Sequence, residues 1–128
     1  MGKLTLICGS PNAGKTTYSS KYKNAYHYDD MRKQGLKIAD IINQDDVVIE
    51  GLFETANARR RIANMADGYK TLIWLNTPLD ECVRRENRGR PIAMVTRHFN
   101  MFEPPTYDEG WDEIILIRPN EVRKIKRT

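Results

Sequence analysis

The chain has too few cysteines for a disulfide framework and no apolar run long enough to cross a membrane. Its 128 residues include two cysteines, Cys8 and Cys82, which allow a single pair. This excludes the disulfide-rich secreted folds and suits a reducing compartment. No apolar stretch approaches the roughly 20 residues of a membrane-spanning helix. Because the N-terminus runs directly into an apolar strand pattern, we expect no signal peptide, a cytoplasmic location and no membrane partner.

Acidic residues are slightly outnumbered, and the net charge is only +4. The excess is clustered at residues 59–61, 84–90 and in a basic tail at about 119–128. Such clusters suit an anionic partner, and we expect nucleic acid, with DNA favoured over RNA. Taken alone, the run at residues 59–61 is typical of a solvated helix face. The oligomeric state stays open.

The chain also lacks internal repeats and low-complexity linkers, and strand and helix patterns alternate along it. Apolar or β-branched runs predict strands at residues 3–8, 25–28, 47–49, 71–75 and 113–118. Helices are predicted at residues 15–22, 32–43, 56–66 and 92–102, with another capped by Thr77. This alternation predicts one α/β domain over residues 1–128, with a parallel sheet of about five strands and helices on both faces. Ligands then bind at the carboxyl ends of the strands.

Residues 9–16 read Gly-Ser-Pro-Asn-Ala-Gly-Lys-Thr and match the phosphate-loop pattern G-x-x-x-x-G-K-[ST] at every fixed position. The loop lies between a predicted strand and a predicted helix, which is the context the motif requires. Lys15 would reach the β- and γ-phosphates of ATP, and the Thr16 hydroxyl would bind Mg²⁺. The expected ATP-binding residues of this segment are Gly9, Ser10, Asn12, Ala13, Gly14, Lys15, Thr16 and Thr17. The motif predicts a P-loop NTPase fold.

Acidic residues follow the second and third predicted strands. Asp29 follows the second strand and could orient an acceptor hydroxyl and accept its proton, with Asp30 and Arg32 holding the substrate. The alternative, a capped helix N-terminus, is equally compatible with this spacing. Glu50 follows the third strand, where an acid commonly supports Mg²⁺ or its waters.

The arginine-rich segment at about 84–91 has the composition of a small lid. Arg85 and Arg88 are three residues apart, so on a helix they would share a face. Arginines that close over a nucleotide neutralise charge on the transferring phosphoryl group. The alternative is a solvated helix end, where cations interact favourably with the helix dipole.

Together these segments resemble the polynucleotide kinase family, P-loop enzymes that phosphorylate the 5′-hydroxyl of DNA or RNA. The resemblance covers the phosphate loop, the Asp-Asp-x-Arg at residues 29–32, the Arg-Gly-Arg at 88–90 and the segment Phe-Glu-Pro-Pro-Thr-Tyr-Asp-Glu-Gly-Trp at 102–111. It implies that Asp29 is the general base and that Arg32 grips a phosphate beside the acceptor. It also implies that Arg88, and with it Arg85, contacts the donor phosphates, making Lys15, Asp29 and Arg88 the catalytic set.

The chain departs from the family in lacking an Asp-x-Asp-x-Thr phosphatase motif and in the short stretch between Asp29 and Glu50. A shortened acceptor region resembles sibling phage kinases that phosphorylate a hydroxymethyl group on a modified pyrimidine in DNA, where the base must be flipped out. Tyr26, Tyr28 or Phe53 could stack on such a base, although each alone is more typical of ordinary packing.

The sequence therefore predicts an ATP- and Mg²⁺-dependent nucleic-acid kinase that acts on a 5′-hydroxyl end or on 5-hydroxymethyluracil in phage DNA. Two alternatives stay open. One is a small-metabolite or nucleoside kinase, and the other is a nucleotide-dependent binding module without catalysis.

Overall fold

A computed structural model describes residues 2–127, which form a six-stranded sheet of order β2-β3-β1-β4-β5-β6. The strands are β1 Lys3–Gly9, β2 Ala25–His27, β3 Val47–Gly51, β4 Tyr69–Leu75, β5 Glu113–Arg118 and β6 Glu121–Lys124. The first five are parallel, and β6 pairs antiparallel with β5. The predicted α/β class with a mostly parallel sheet is confirmed.

In the described part of the chain, six helices connect the strands, and most of them are short. They are α1 Lys15–Ser19, α2 Tyr28–Gln34, α3 Ile38–Ile41, α4 Ala56–Met65, α5 Leu79–Arg84 and α6 Ile92–Met101, with one 3₁₀ turn at Tyr107–Glu109. Within residues 2–127, no helix is long and apolar enough to cross a membrane.

Among the residues that the structure describes, the core consists of two apolar clusters, one on each face of the sheet. Leu4, Leu6 and Cys8 of β1 belong to one cluster, and Ile7 belongs to the other. This is the period-two alternation of a strand that is buried on both faces. Burial raises the pKa of the Cys8 thiol to about 12. Both cysteines are buried free thiols.

Two predicted helices are wrong in extent, and the basic tail, whose conformation the sequence leaves open, forms a strand. The helix expected at 32–43 is two helices, because Gly35 adopts a left-handed conformation with φ of 73° and ends α2. The helix after the phosphate loop ends at Ser19 instead of residue 22. The basic tail contributes a sixth strand, β6, so the sheet is wider than expected.

Two side chains differ from their expected local roles. Thr77 does not cap α5, since its hydroxyl donates to the carbonyl of Ala13 in the phosphate loop at 2.8 Å. Arg59 is not on a solvated helix face: it is fully buried and pairs with the equally buried Glu109, Nε to Oε1 at 2.9 Å. The basic run at 59–61 therefore contains one core residue.

Candidate active site

The phosphate loop connects β1 to α1 and depends on its glycines. Gly14 has φ of 103°, a conformation that side chains rarely adopt. At Gly9, a Cβ would lie 2.8 Å from the carbonyl oxygen of Leu75 on the neighbouring strand β4. Gly14 is thus required by its backbone conformation, and Gly9 is required by the close approach of strand β4, as the sequence pattern implies.

Lys15 lies folded over this loop. Its Nζ donates to the carbonyl oxygens of Gly9 and Ser10, both at 2.9 Å. Burial lowers the pKa of Lys15, and the nearby carboxylate of Glu50 partly opposes that shift. The site therefore places one half-buried cation between the loop and the end of β3.

A cavity of about 1180 Å³ opens at the carboxyl ends of the parallel strands and surrounds the loop. The predicted residues that line it are Asn12, Ala13, Gly14, Lys15, Thr16, Thr17, Asp29, Asp30, Glu50, Arg85 and Arg88. The structure thus brings the loop, the acids after β2 and β3, and the arginine segment to one place. This is where an open parallel sheet binds ligands.

Three predicted residues do not line this cavity. Gly9 is buried in the strand end, and Ser10 is buried with its hydroxyl 3.8 Å from the Cys82 sulfur. Arg32 is exposed on α2. The α2 side chains that do line the cavity are Asp29, Asp30 and Lys33, which share one side of the helix, so Lys33 occupies the wall where Arg32 was expected.

Glu50 makes a contact that the sequence analysis missed. His27 and Glu50 are register partners on β2 and β3, and His27 Nδ1 lies 2.8 Å from Glu50 Oε1. Glu50 is only 8% exposed, yet both residues line the cavity. Strand register creates this pair, so it could be predicted only from the correct strand order and register.

The site offers oxygen ligands of the kind Mg²⁺ prefers. The Thr16 hydroxyl and the Glu50 carboxylate line the same cavity. Among residues 2–127, no group of three or more histidine, cysteine, aspartate or glutamate side chains could by itself hold a metal ion. The residues present therefore fit an ion held by few protein oxygens together with phosphates and water, the usual mode for Mg²⁺.

Helix α5 and the segment that follows it, residues 85–91, contact the phosphate loop through Asn12. The Asn12 amide donates to the Cys82 carbonyl at 3.0 Å and to Glu86 Oε1 at 2.9 Å. Its Oδ1 accepts from Arg90 Nη2 at 2.8 Å, and its backbone carbonyl accepts from Arg85 Nη1 at 3.2 Å. The expected lid segment is thus hydrogen-bonded to the loop, and Arg90 makes more of these contacts than Arg88.

Glu86 holds this network together. Its carboxylate accepts from Arg90 Nε and from the backbone N–H groups of Arg88 and Arg90, all at 2.9–3.0 Å. Hydrogen bonds from Arg90, and then from Asn12, lower the pKa of Glu86 to about 2. Because this pKa lies below its ordinary value of 4.5, the stabilisation is complete above about pH 4.5 and is lost as the pH falls toward 2.

The basic clusters are largely paired with neighbouring acids. Glu81 pairs with two arginines and Glu121 with two more, while Glu86 and Glu113 hold one cation each. The paired cations are Arg84, Arg85, Arg90, Arg118, Arg123 and Lys124. These four carboxylates offset part of the charge of the six cations, so the clusters that suggested a nucleic-acid partner are less basic than a count of their arginines and lysines indicates.

The aromatic residues considered for base stacking pack elsewhere. Tyr28 and Phe53 contact each other with ring centroids 5.0 Å apart, and Tyr26 donates its hydroxyl to Gln44 Oε1 at 3.1 Å. All three belong to or pack against the larger apolar cluster. None is among the residues that line the cavity.

The fold is shared with solved P-loop kinases, although no protein-family model and no curated relative matches the sequence. A gluconokinase from Sinorhizobium meliloti 1021 matches with a TM-score of 0.65 and 11% identity, over 94% of this chain and 83% of its own. A sugar kinase from Janibacter sp. HTCC2649 matches with a TM-score of 0.69 and 12% identity, over 92% and 86%. A structure from the PezAT chromosomal toxin–antitoxin system of Streptococcus pneumoniae matches with a TM-score of 0.50 and 14% identity, over 98% and 71%. At these identities the likeness establishes the P-loop kinase fold.

These comparisons correct the leading functional prediction. The expectation of a nucleic-acid kinase, on a 5′-end or on a modified base in phage DNA, is wrong, since the similar structures are named gluconokinase and sugar kinase. The resemblance to polynucleotide kinases holds at the level of the P-loop kinase fold. The small-metabolite alternative fits the neighbours better.

Proposed function

We propose that the chain is an ATP- and Mg²⁺-dependent kinase that phosphorylates a hydroxyl group of a small polyhydroxylated metabolite, a sugar or sugar acid. One observation carries the proposal: Asp29 lines the same cavity as Lys15 and Thr16 of the phosphate loop. A carboxylate beside a phosphate-binding loop is what phosphoryl transfer to an alcohol requires. The sugar-kinase names of two structural neighbours support the choice of acceptor.

On the donor side, the loop N–H groups and Lys15 would hold the phosphates of ATP, with Arg85 and Arg88, which line the same cavity, adding positive charge. Thr16, with Glu50 acting directly or through water, would hold Mg²⁺. When bound, the ion neutralises charge on the phosphates. Ile117, Arg118 and Pro119 at the end of β5 line the cavity on the other side of β1 from Asp29, where the nucleoside would bind.

On the acceptor side, Asp29 would orient the attacking hydroxyl and accept its proton, while Asp30 and Lys33 contact other groups of the acceptor. The cavity exceeds the roughly 300–1,000 Å³ typical of a site for one small ligand. At about 1180 Å³ it has room for a nucleotide together with a small acceptor. The phosphate-gripping role predicted for Arg32 loses its basis, because this side chain does not line the cavity.

The test is to incubate the protein with γ-labelled ATP and separate acceptors: D-gluconate, D-glucose, D-ribose, a nucleoside mixture, a 5′-hydroxyl oligonucleotide, and 5′-phosphorylated DNA containing hydroxymethyluracil. We expect label on a sugar or sugar acid, and we expect Lys15→Ala to remove it because that cation binds the donor phosphates. Label on oligonucleotides alone would refute the proposal. ATP binding without transfer to any acceptor would indicate a binding module instead.

The network around Glu86 gives a second prediction, for the donor side. Glu86→Ala should raise KM for ATP roughly tenfold, because Asn12 and Arg90 lose the charged partner that fixes the loop. The effect should be the same at pH 5 and pH 8, since the Glu86 carboxylate is ionised throughout that range. Glu113→Gln is the matched control: it breaks only an ion pair with Lys124, at 3.2 Å, and should leave KM unchanged. Equal values for the Glu86 variant and the wild type would contradict a role in ATP binding.

A further inference from the structure

Helix α6 contributes two side chains to the cavity that the sequence analysis did not single out. Met94 and His98 are one helical turn apart, so they lie on the same face of α6, and both line the cavity. His98 is within hydrogen-bond distance of Glu54, which follows β3 and the cavity-lining Leu52. Since β3 lies between β1 and β2, this contact places His98 on the same side of the phosphate loop as Asp29.

The imidazole of His98 is held in one orientation by Glu54. His98 Nδ1 lies 3.1 Å from Glu54 Oε2, and the two side chains are 30% and 15% exposed. With Nδ1 engaged, Nε2 is the ring nitrogen left for another partner. Across residues 2–127, no protein group is within hydrogen-bond distance of Nε2.

The loop that carries Glu54 is itself fixed. The Glu54 carbonyl accepts from the N–H of Glu103 at 2.8 Å, and Glu103 Oε1 accepts from the N–H of Ala56 at 2.7 Å. Arg59 Nη2 donates to the Glu103 carbonyl at 2.7 Å. These hydrogen bonds connect the end of α6 to the start of α4. The backbone that carries His98 and the backbone that carries Glu54 are therefore held together.

We propose that His98 is a specificity-determining residue of the acceptor site. Its Nε2 hydrogen-bonds an oxygen of the acceptor other than the attacking hydroxyl, and Glu54 is the positioning residue that orients the ring. The proposal rests on the proposed small-metabolite kinase activity. It identifies the acceptor as a molecule with at least two oxygen functions, one beside Asp29 and one beside α6.

The test uses two amides that each mimic one ring nitrogen. In His98→Asn the amide can still reach Glu54 but not the Nε2 position, whereas in His98→Gln it extends toward that position. With the best acceptor of the sugar panel, His98→Asn should raise the acceptor KM about tenfold and leave KM for ATP unchanged. His98→Gln should lie closer to the wild type. Arg97→Ala, an exposed neighbour on α6 that does not line the cavity, should match the wild type in both constants.

Deoxy analogues of that acceptor distinguish a role of His98 in acceptor recognition from a purely structural role. The wild type should use one deoxy analogue about tenfold less efficiently than the parent compound, and His98→Asn should lose that discrimination. If His98→Asn raises both KM values together and lowers the melting temperature, the residue is structural and the inference is wrong. If the acceptor KM and the discrimination are unchanged in His98→Asn, only the inference fails. If the wild type phosphorylates no member of the panel, the proposed function is wrong, and the inference that rests on it is wrong as well.

Discussion

Replacing Asp29 by asparagine is expected to lower kcat by about 10²- to 10⁴-fold, the range that general-base catalysis contributes. Asp29 lies in the first turn of α2 and lines the cavity beside the phosphate loop. Asparagine keeps the size and the hydrogen-bonding oxygen but cannot accept the proton of the attacking hydroxyl. In the proposed function ATP binds to the phosphate loop and the arginine segment instead, so its dissociation constant should change less than twofold.

The measurement combines steady-state kinetics on the best acceptor with ATP binding by calorimetry. Asp80→Asn is the matched control, because Asp80 is also an exposed aspartate in the first turn of a helix, α5, but does not line the cavity. This variant shows how much activity is lost when a carboxylate no longer interacts with a helix dipole, and its kcat should equal that of the wild type. A kcat of Asp29→Asn within threefold of the wild type would remove Asp29 from the mechanism.

The site residues that the sequence predicted are those whose positions follow from residues close to them in the chain. The phosphate loop needs glycines at fixed spacing, and the acids follow strands whose apolar runs are visible in the sequence. Local patterns therefore suffice to place Asp29, Glu50 and Lys15 together, because parallel strands end at one edge of the sheet.

The parts that the sequence did not predict depend on partners distant in the chain. His27 meets Glu50 through strand register, His98 meets Glu54 across the fold, and Asn12 meets Glu86 and Arg90 across more than seventy residues. No local pattern specifies such pairs. Charge pairing is different, because the acid that pairs with Arg84 and Arg85 is Glu81 on the same helix. A cluster of arginines is overestimated as a basic surface when such neighbouring acids are not counted with it.

Arg59 is the clearest example of a residue whose role only the structure reveals. Its guanidinium donates to both Glu109 oxygens, at 2.9 and 3.0 Å, and to the carbonyls of Phe53 and Glu103, at 2.8 and 2.7 Å. Phe53 has φ of 37°, a strained conformation for a bulky residue. By binding the Phe53 carbonyl, Arg59 stabilises the loop that carries the cavity residue Leu52.

Arg59→Met is expected to lower the free energy of unfolding by about 3–5 kcal/mol, because it leaves the buried Glu109 carboxylate without its cation. Glu109 would retain only the Trp111 indole N–H, at 3.0 Å, and the Thr106 backbone N–H, at 3.2 Å. Urea unfolding followed by tryptophan fluorescence measures the loss directly, since Trp111 is buried beside the pair. Arg60→Met is the matched control on the same helix: Arg60 is half-exposed, lies 3.6 Å from Asp108, and should cost no more than about 1 kcal/mol.

The double variant Arg59→Met with Glu109→Leu tests whether Arg59→Met is destabilising because of the unpaired Glu109 charge or because of the lost backbone hydrogen bonds of Arg59. Removing both charges leaves no unpaired ion in the core, so the double variant should be more stable than Arg59→Met alone. It cannot restore the hydrogen bond to Phe53, and the β3–α4 loop should stay less ordered than in the wild type. We therefore expect recovered stability without recovered kcat/KM for the acceptor. A double variant as unstable as Arg59→Met would show that the backbone hydrogen bonds of Arg59, rather than its charge pairing, stabilise the fold.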